Sequence, residues 1–140
     1  VVAYGLDGHS HQPEIAQELA ELREAESARV TFVPHRVPMT RGILATCYAR
    51  LQDENISKQI VQEVYREFYS DKPFVHVPNT PPQTKQTMGS NMCLVYPTVD
   101  ISAERLVVVS CLDTLVKGAA GQAVQNMNVA CQIKETMGLQ

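Results

Sequence analysis

Apolar residues along this chain switch repeatedly between strand-like and helical spacing. Val1-Val2-Ala3-Tyr4 is an apolar run closed by the turn signature Gly5-Leu6-Asp7-Gly8. A histidine-rich loop follows, and Pro13 and Glu14 open a helix. Proline suits a first turn whose N–H has no partner, and a carboxylate complements the positive helix end. Ile15, Leu19 and Leu22 mark the apolar stripe of this helix, while Glu18, Glu21 and Arg23 can face water. Val30, Phe32 and Val33 predict a short strand over 29–34, and the proline-rich stretch 34–42 predicts a loop. Residues 43–50 are strand-like again. Ile60, Val61, Val64 and Phe68 give the clearest helical stripe, over 57–69, with Ser57 or Asn55 as its cap. Residues 74–77 predict a strand, 78–90 a second long loop, and 91–96 and 105–111 the last strands. Leu106-Val107-Val108-Val109 has the continuous apolarity of a central strand. A final helix is predicted over 116–129, rich in small residues.

That order predicts a mixed α+β domain, with a mostly antiparallel sheet and helices packed on one face. The 140 residues suit one domain, and a 44% hydrophobic content is ordinary for a globular chain. A net charge of −3 gives no basic footprint for nucleic acid or anionic lipid. No apolar run approaches the roughly 20 residues of a membrane-spanning helix. Cys47, Cys93, Cys111 and Cys131 form no CxxC pair, and read as reduced, mostly buried thiols of a cytosol-like compartment. The chain begins on Val1 rather than Met, and is expected to be cut from something longer.

Candidate chemistry concentrates in four places. His9-Ser10-His11-Gln12-Pro13-Glu14 sets two imidazoles and a carboxylate at a helix start. Histidine can take and give a proton near neutrality, and Glu14 could orient one ring. Surface histidines, one of them a helix cap, are the plainer reading. Metal binding by His9 and His11 is the weaker one, since no further ligands stand at recognisable spacing, and no metal is expected. Arg41, in Pro38-Met39-Thr40-Arg41-Gly42, offers a fork for a carboxylate or phosphate, or else a structural ion pair. Lys85 and Asn91 offer similar anion or hydrogen-bonding contacts. Gly118, Ala119, Gly121 and Gln122 belong to a small-residue helix that suits close approach of a backbone, a flat ligand or its own sheet. No cysteine has the setting of an activated thiolate, and no GxGxxG dinucleotide motif occurs.

Three stretches, 8–15, 32–44 and 116–126, together with the looser Thr84-Lys85 and Gly89-Ser90-Asn91, resemble in order the C-terminal half of N-acetyl-γ-glutamyl-phosphate reductases. The resemblance spans nearly the whole chain. It implies a fold like the C-terminal domains of glyceraldehyde-3-phosphate and aspartate-semialdehyde dehydrogenases, with residues 1–140 as a single substrate-binding and dimerisation domain. It implies NADPH-dependent reduction of N-acetyl-γ-glutamyl phosphate to the semialdehyde and phosphate, in arginine biosynthesis. The catalytic cysteine and most of the NADP site would lie in a dinucleotide-binding half, so this chain alone is expected to be inactive. By motif position the acid/base role falls on His9, with His11 and Glu14 in support; Ser10 stands where the family usually has Arg. Arg41, Lys85 and Asn91 would meet the substrate, and Gly118, Ala119 and Gln122 the nicotinamide end of the cofactor. Expected partners are the chain's own dinucleotide-binding half and further copies of itself, with neither nucleic acid nor membrane. The expected location is the cytoplasm, or a plastid or mitochondrion in a eukaryote. The alternatives are a non-catalytic oligomerisation domain of the same fold, or half of a related acyl-phosphate dehydrogenase.

Overall fold

The computed structural model describes residues 1–22, 24–53 and 55–139, so the water-facing role expected for Arg23 lies outside the described residues. The chain divides into two compact units, Val1–Met39 and Thr40–Gln140.

In the first unit, β1 (Val2–Ala3) pairs antiparallel with β2 (His35–Arg36), and α1 (His11–Leu22) lies between them in sequence. The helix begins at His11, ahead of the proline expected to open it, and carries Glu14 in its first turn. Residues 29–34 do not form the expected strand. Their Val30 carbonyl accepts from Gln12 Nε2 at 2.9 Å, a side-chain bond in place of a ladder. The strand forms instead at His35–Arg36, inside the predicted loop, because the opening run pairs there; Tyr4 N–H donates to Pro34 O at 3.1 Å. Of the apolar side chains on α1 only Ala20 is buried; Leu19 and Leu22, expected in the core, are exposed.

The second unit is a four-stranded sheet in the order β3 (Ile43–Arg50), β6 (Arg105–Leu112), β5 (Cys93–Asp100), β4 (Val75–His76). The β3–β6 and β5–β6 pairings are antiparallel and β4–β5 is parallel, which is the mixed α+β class expected. β6 is the interior strand its apolar run predicts. The β5–β6 turn closes through Asp100 Oδ1, which accepts from Ser102 Oγ at 2.7 Å and Ala103 N–H at 3.1 Å.

α2 (Lys58–Phe68) starts on the expected cap, Ser57, whose Oγ accepts from Ile60 N–H, worth about 1 kcal/mol. It lies against β5 through Val61 and Gln62, and Gln62 Nε2 reaches Pro97 O at 3.5 Å. Of the predicted stripe only Val61 faces the core, beside the polar Gln62, and Ile60, Val64 and Phe68 stay exposed. The core of this unit holds Val61, Phe74, Val77, Val95, Tyr96 and Cys111, with Gln62, Thr87, Asn91, Asp113 and Asn128 as buried polar groups. The final helix is two pieces, a wide turn at Val116–Ala120 and α3 (Gly121–Ala130), joined across a kink at Ala119.

The four thiols are free. Cys111 is buried and Cys93 half-buried, but Cys47 and Cys131 are exposed, contrary to the expectation of mostly buried cysteines. Burial pushes the Cys93 and Cys111 thiols up, away from thiolate character.

Candidate functional site

In the first unit, the turn before α1 places His9 among aromatic rings. Its imidazole lies 5.6 Å from Tyr4, 4.7 Å from His11 and 5.2 Å from Phe32, centroid to centroid. Gly5 makes this approach feasible. Its φ of +62° is left-handed, and a Cβ there would stand 3.1 Å from His9 Cδ2.

The backbone sets the tautomer of His9. His11 N–H donates to His9 Nδ1 at 3.2 Å, and Gln12 N–H donates to His9 O at 3.0 Å. A neutral imidazole that accepts at Nδ1 carries its proton at Nε2. His9 therefore caps α1 with one nitrogen and leaves the other as a donor, so capping does not exclude an acid/base role for the same ring. The orienting group is a backbone amide of His11, not Glu14. Glu14 is exposed and, among the described residues, makes no hydrogen bond to either imidazole. Arg36 stacks over Tyr4, 4.7 Å from its centroid, and closes this cluster. Two grooves of the unit, each about 400 Å³, run along α1 and are lined from Gln12 to Val30, with neither His9 nor His11 in their walls.

In the second unit, Arg41 does meet an ion-pair partner. Its Nε donates to Asp113 Oδ1 at 2.9 Å, and its Nη2 lies 2.8 Å from Asp113 Oδ2. Asp113, just past the end of β6, is fully buried and also accepts from the backbone. Gly89 N–H donates at 2.6 Å, Leu115 N–H at 2.8 Å and Val116 N–H at 3.4 Å. The Arg41 guanidinium and these amides hold the Asp113 carboxyl well below the usual carboxylate range. Beside it, Gly42 N–H donates to Thr114 Oγ1 at 2.9 Å. Gly42 has a φ of +112°, which strains any side chain, and a Cβ there would stand 3.0 Å from Thr84 Cβ. One carboxylate thus joins the Arg41 loop, the 84–90 loop and the turn into the last helix. Asp113 is not among the residues that the sequence pattern singles out. The signal available was an acid followed by Thr114 directly after an apolar strand, a common turn-forming pair.

Lys85 is exposed in the short turn Thr84–Gln86. Asn91, expected on the substrate, is fully buried, and its Nδ2 donates to Gln125 Oε1 at 2.9 Å. Gln125 Oε1 also accepts from Lys117 Nζ, and Gln125 Nε2 donates to Glu135 Oε1, both at 2.7 Å. Burial pulls the Lys117 ammonium down. Asn91 therefore ties the sheet end to α3 and has no open face for a ligand. The small residues of the last helix serve packing first. A Cβ on Gly121 would overlap Val116 and Asn91, and one on Gly118 would stand 3.3 Å from Asp113 O. Ala119 is exposed, and Gln122 Nε2 donates to Asn126 Oδ1 at 2.7 Å. Among the described residues no three His, Cys, Asp or Glu side chains gather as a metal site needs.

Residues 1–114 match the family described as "Semialdehyde dehydrogenase, dimerisation domain". The whole chain is 56% identical over 140 residues to an N-acetyl-γ-glutamyl-phosphate reductase of Dehalococcoides mccartyi, and covers 41% of that protein. It is 48% identical over 140 residues to the same-named protein of Pelobacter propionicus, covering 98% of this chain and 40% of that one. The fold is similar to that of the aspartate semialdehyde dehydrogenase II of Vibrio cholerae, with a TM-score of 0.67 and 20% identity over 90% of this chain and 38% of that one. The chain thus spans about two-fifths of the length of these relatives. Its match through β6 and beyond, and a sheet and helices of the same fold, establish that this chain belongs to the semialdehyde dehydrogenase dimerisation-domain family.

Proposed function

We propose that this chain is the substrate-side and dimerisation part of an NADP-dependent N-acetyl-γ-glutamyl-phosphate reductase. The observation that carries the reading is identity above one half to proteins of that name across the full 140 residues. Reduction of an acyl group to an aldehyde builds negative charge on the carbonyl oxygen, which needs a proton or a donor held in place. His9 supplies one: its Nδ1 is occupied by the His11 amide, so its Nε2–H is the free donor. Aromatic packing against Tyr4 and Phe32 limits the swing of the ring. Arg41 and Lys85 are the cations for the substrate's carboxylate or phosphate.

NADP, when bound, supplies or takes the hydride, and would be held mainly by the part of the longer relatives outside this chain. Gly118 and Ala119 are exposed and carry little side chain, which suits contact with a flat ring, and Gln122 follows in the next turn. Assembly with a second copy is favoured by apolar side chains left open on two elements of the second unit. Leu44 and Tyr48 on β3 are 53% and 67% exposed, and Ile60, Val64 and Phe68 on α2 are open as well. Among the described residues no helix is long and apolar enough to cross a membrane. We place the reaction in the cytoplasm, where its ionic substrate and cofactor are dissolved.

The test is phosphate-dependent NADP⁺ reduction with N-acetylglutamate semialdehyde, run on the full-length protein and on this chain alone. Turnover is expected only from the full-length protein, and His9→Asn should lower kcat by about 10²- to 10⁴-fold. A full-length protein that turns nothing over refutes the proposal. Unchanged kcat in His9→Asn removes the acid/base assignment and leaves an assembly domain.

A further inference from the structure

We infer that Asp113 is a positioning residue that aims Arg41 at the anionic group of the substrate, an inference that rests on the function proposed above. Arginine on a surface loop samples many rotamers, and freezing them on a ligand weakens binding. Here the cost is met in advance. Asp113 occupies the Nε–Nη2 edge of the guanidinium, which leaves both N–H groups of Nη1 and one of Nη2 without a protein partner among the described residues. The side chain of Arg41 is 31% exposed while that of Asp113 is 0% exposed, so the open edge belongs to the arginine alone.

Asp113 itself cannot turn, because the amides of Gly89, Leu115 and Val116 hold both of its oxygens. The backbone beside Arg41 is fixed as well, by the bond from Gly42 to Thr114. Three backbone amides could be satisfied by a neutral acceptor. A buried carboxylate is costly to desolvate, and what distinguishes it from a neutral acceptor is its hold on the guanidinium. The contact between Gly42 and Thr84 also sets the turn carrying Lys85 next to the Arg41 loop. The result is a rigid outer fork with an exposed ammonium on the adjacent segment, suited to a two-oxygen anion. A carboxylate and a phosphate share that chemistry, and the substrate carries both.

The experiment uses the full-length protein in the aldehyde-oxidising direction, where inorganic phosphate and N-acetylglutamate semialdehyde have separate KM values. Arg41→Met should raise one of these by about tenfold, the worth of a lost bidentate contact. A raised phosphate KM assigns the fork to the phosphoryl group, and a raised semialdehyde KM assigns it to the carboxylate. Asp113→Asn should raise the same KM by severalfold, with kcat and the NADP⁺ KM nearly unchanged. The double variant should be no worse than Arg41→Met alone, since both changes remove one interaction. Losses that multiply in the double variant, or a fall in kcat alone, overturn the inference. If Asp113→Asn does not fold, Arg41→Lys decides. An ammonium lacks the two planar edges that let a guanidinium hold Asp113 and present a fork to the substrate, so the same KM should rise, and a wild-type value overturns the inference. Wild-type turnover with an unaltered KM in Arg41→Met sinks this inference and the substrate contact assigned to Arg41, and leaves the reductase reading standing. Absence of wild-type turnover sinks the proposed function beneath it.

Discussion

Gly121→Ala should destabilise the chain, although the position is helical and alanine is the better helix former. Gly121 has φ −64° and ψ −40°, ordinary values for any residue, so the substitution brings no backbone strain. Helix propensity alone would favour alanine by about 1 kcal/mol. The surroundings reverse the sign. A Cβ would stand 2.6 Å from Val116 Cγ1 and 2.8 Å from Val116 O, and would overlap Asn91 Oδ1. Val116 O is held in place by the Gly121 N–H, and Asn91 is fully buried and bonded to Gln125, so none of these atoms moves freely. Overpacking of this kind costs about 2 kcal/mol. Moving Asn91 off Gln125 adds about 1 kcal/mol for a buried hydrogen bond. The net is a loss of about 2 kcal/mol, or a fall of about 1 M in the urea midpoint at a typical slope. The chain has no tryptophan, so unfolding is best followed by far-UV circular dichroism. Gly118→Ala is the internal control: its nearest neighbours lie at 3.3 Å, and its midpoint should fall much less. An unchanged or raised midpoint in Gly121→Ala would refute the packing argument.

Gly5→Ala places a side chain at φ +62° and against His9, so it should cost about 1 kcal/mol in backbone strain and displace the imidazole. In the full-length protein kcat should drop by more than the dichroism melt suggests, and equal effects would detach Gly5 from the function of His9. Asp113 has a depressed folded-state pKa, so its contribution to stability is complete above the ordinary aspartate value, about 3.9, and is lost as pH falls below it. Urea midpoints measured down to pH 2.5 should fall less steeply in Asp113→Asn than in the wild type; parallel curves would remove Asp113 from the acid limb. Tyr48→Asp on β3 changes a side chain that is 67% exposed in the single chain, so it should cost little local stability. Sedimentation of the full-length protein should nonetheless show a smaller assembly, and an unaltered assembly would move the interface away from β3.

The element order was legible in the sequence wherever a local rule was sufficient. Residues 43–50 are a strand as predicted, and Ser57 caps α2 because a hydroxyl before a helix needs only its own N–H groups two and three residues on. The apolar run in β6 predicted an interior strand for an equally local reason. The candidate chemistry was legible as far as residue type goes, with His9 and Arg41 both at structured positions.

What only the tertiary structure decided depends on partners distant in the chain. Residues 29–34 have strand composition but no ladder partner, while His35–Arg36 become a strand because the opening residues pair with them. The apolar stripe of α2 is present in the sequence, yet which side faces β5 was set by the fit of Val61 and Gln62, leaving Ile60, Val64 and Phe68 outside. Asn91 was a plausible ligand by type and became a buried tie to Gln125 once the sheet end met α3. Asp113 attracts no attention as one acid among fifteen Asp and Glu residues, and acquires its role only when Arg41 and Gly89 arrive around it from two other segments. Sequence carries propensity and capping because these act within a few residues. Burial, pairing and the company of a charge depend on which segments meet, and the tertiary fold sets those.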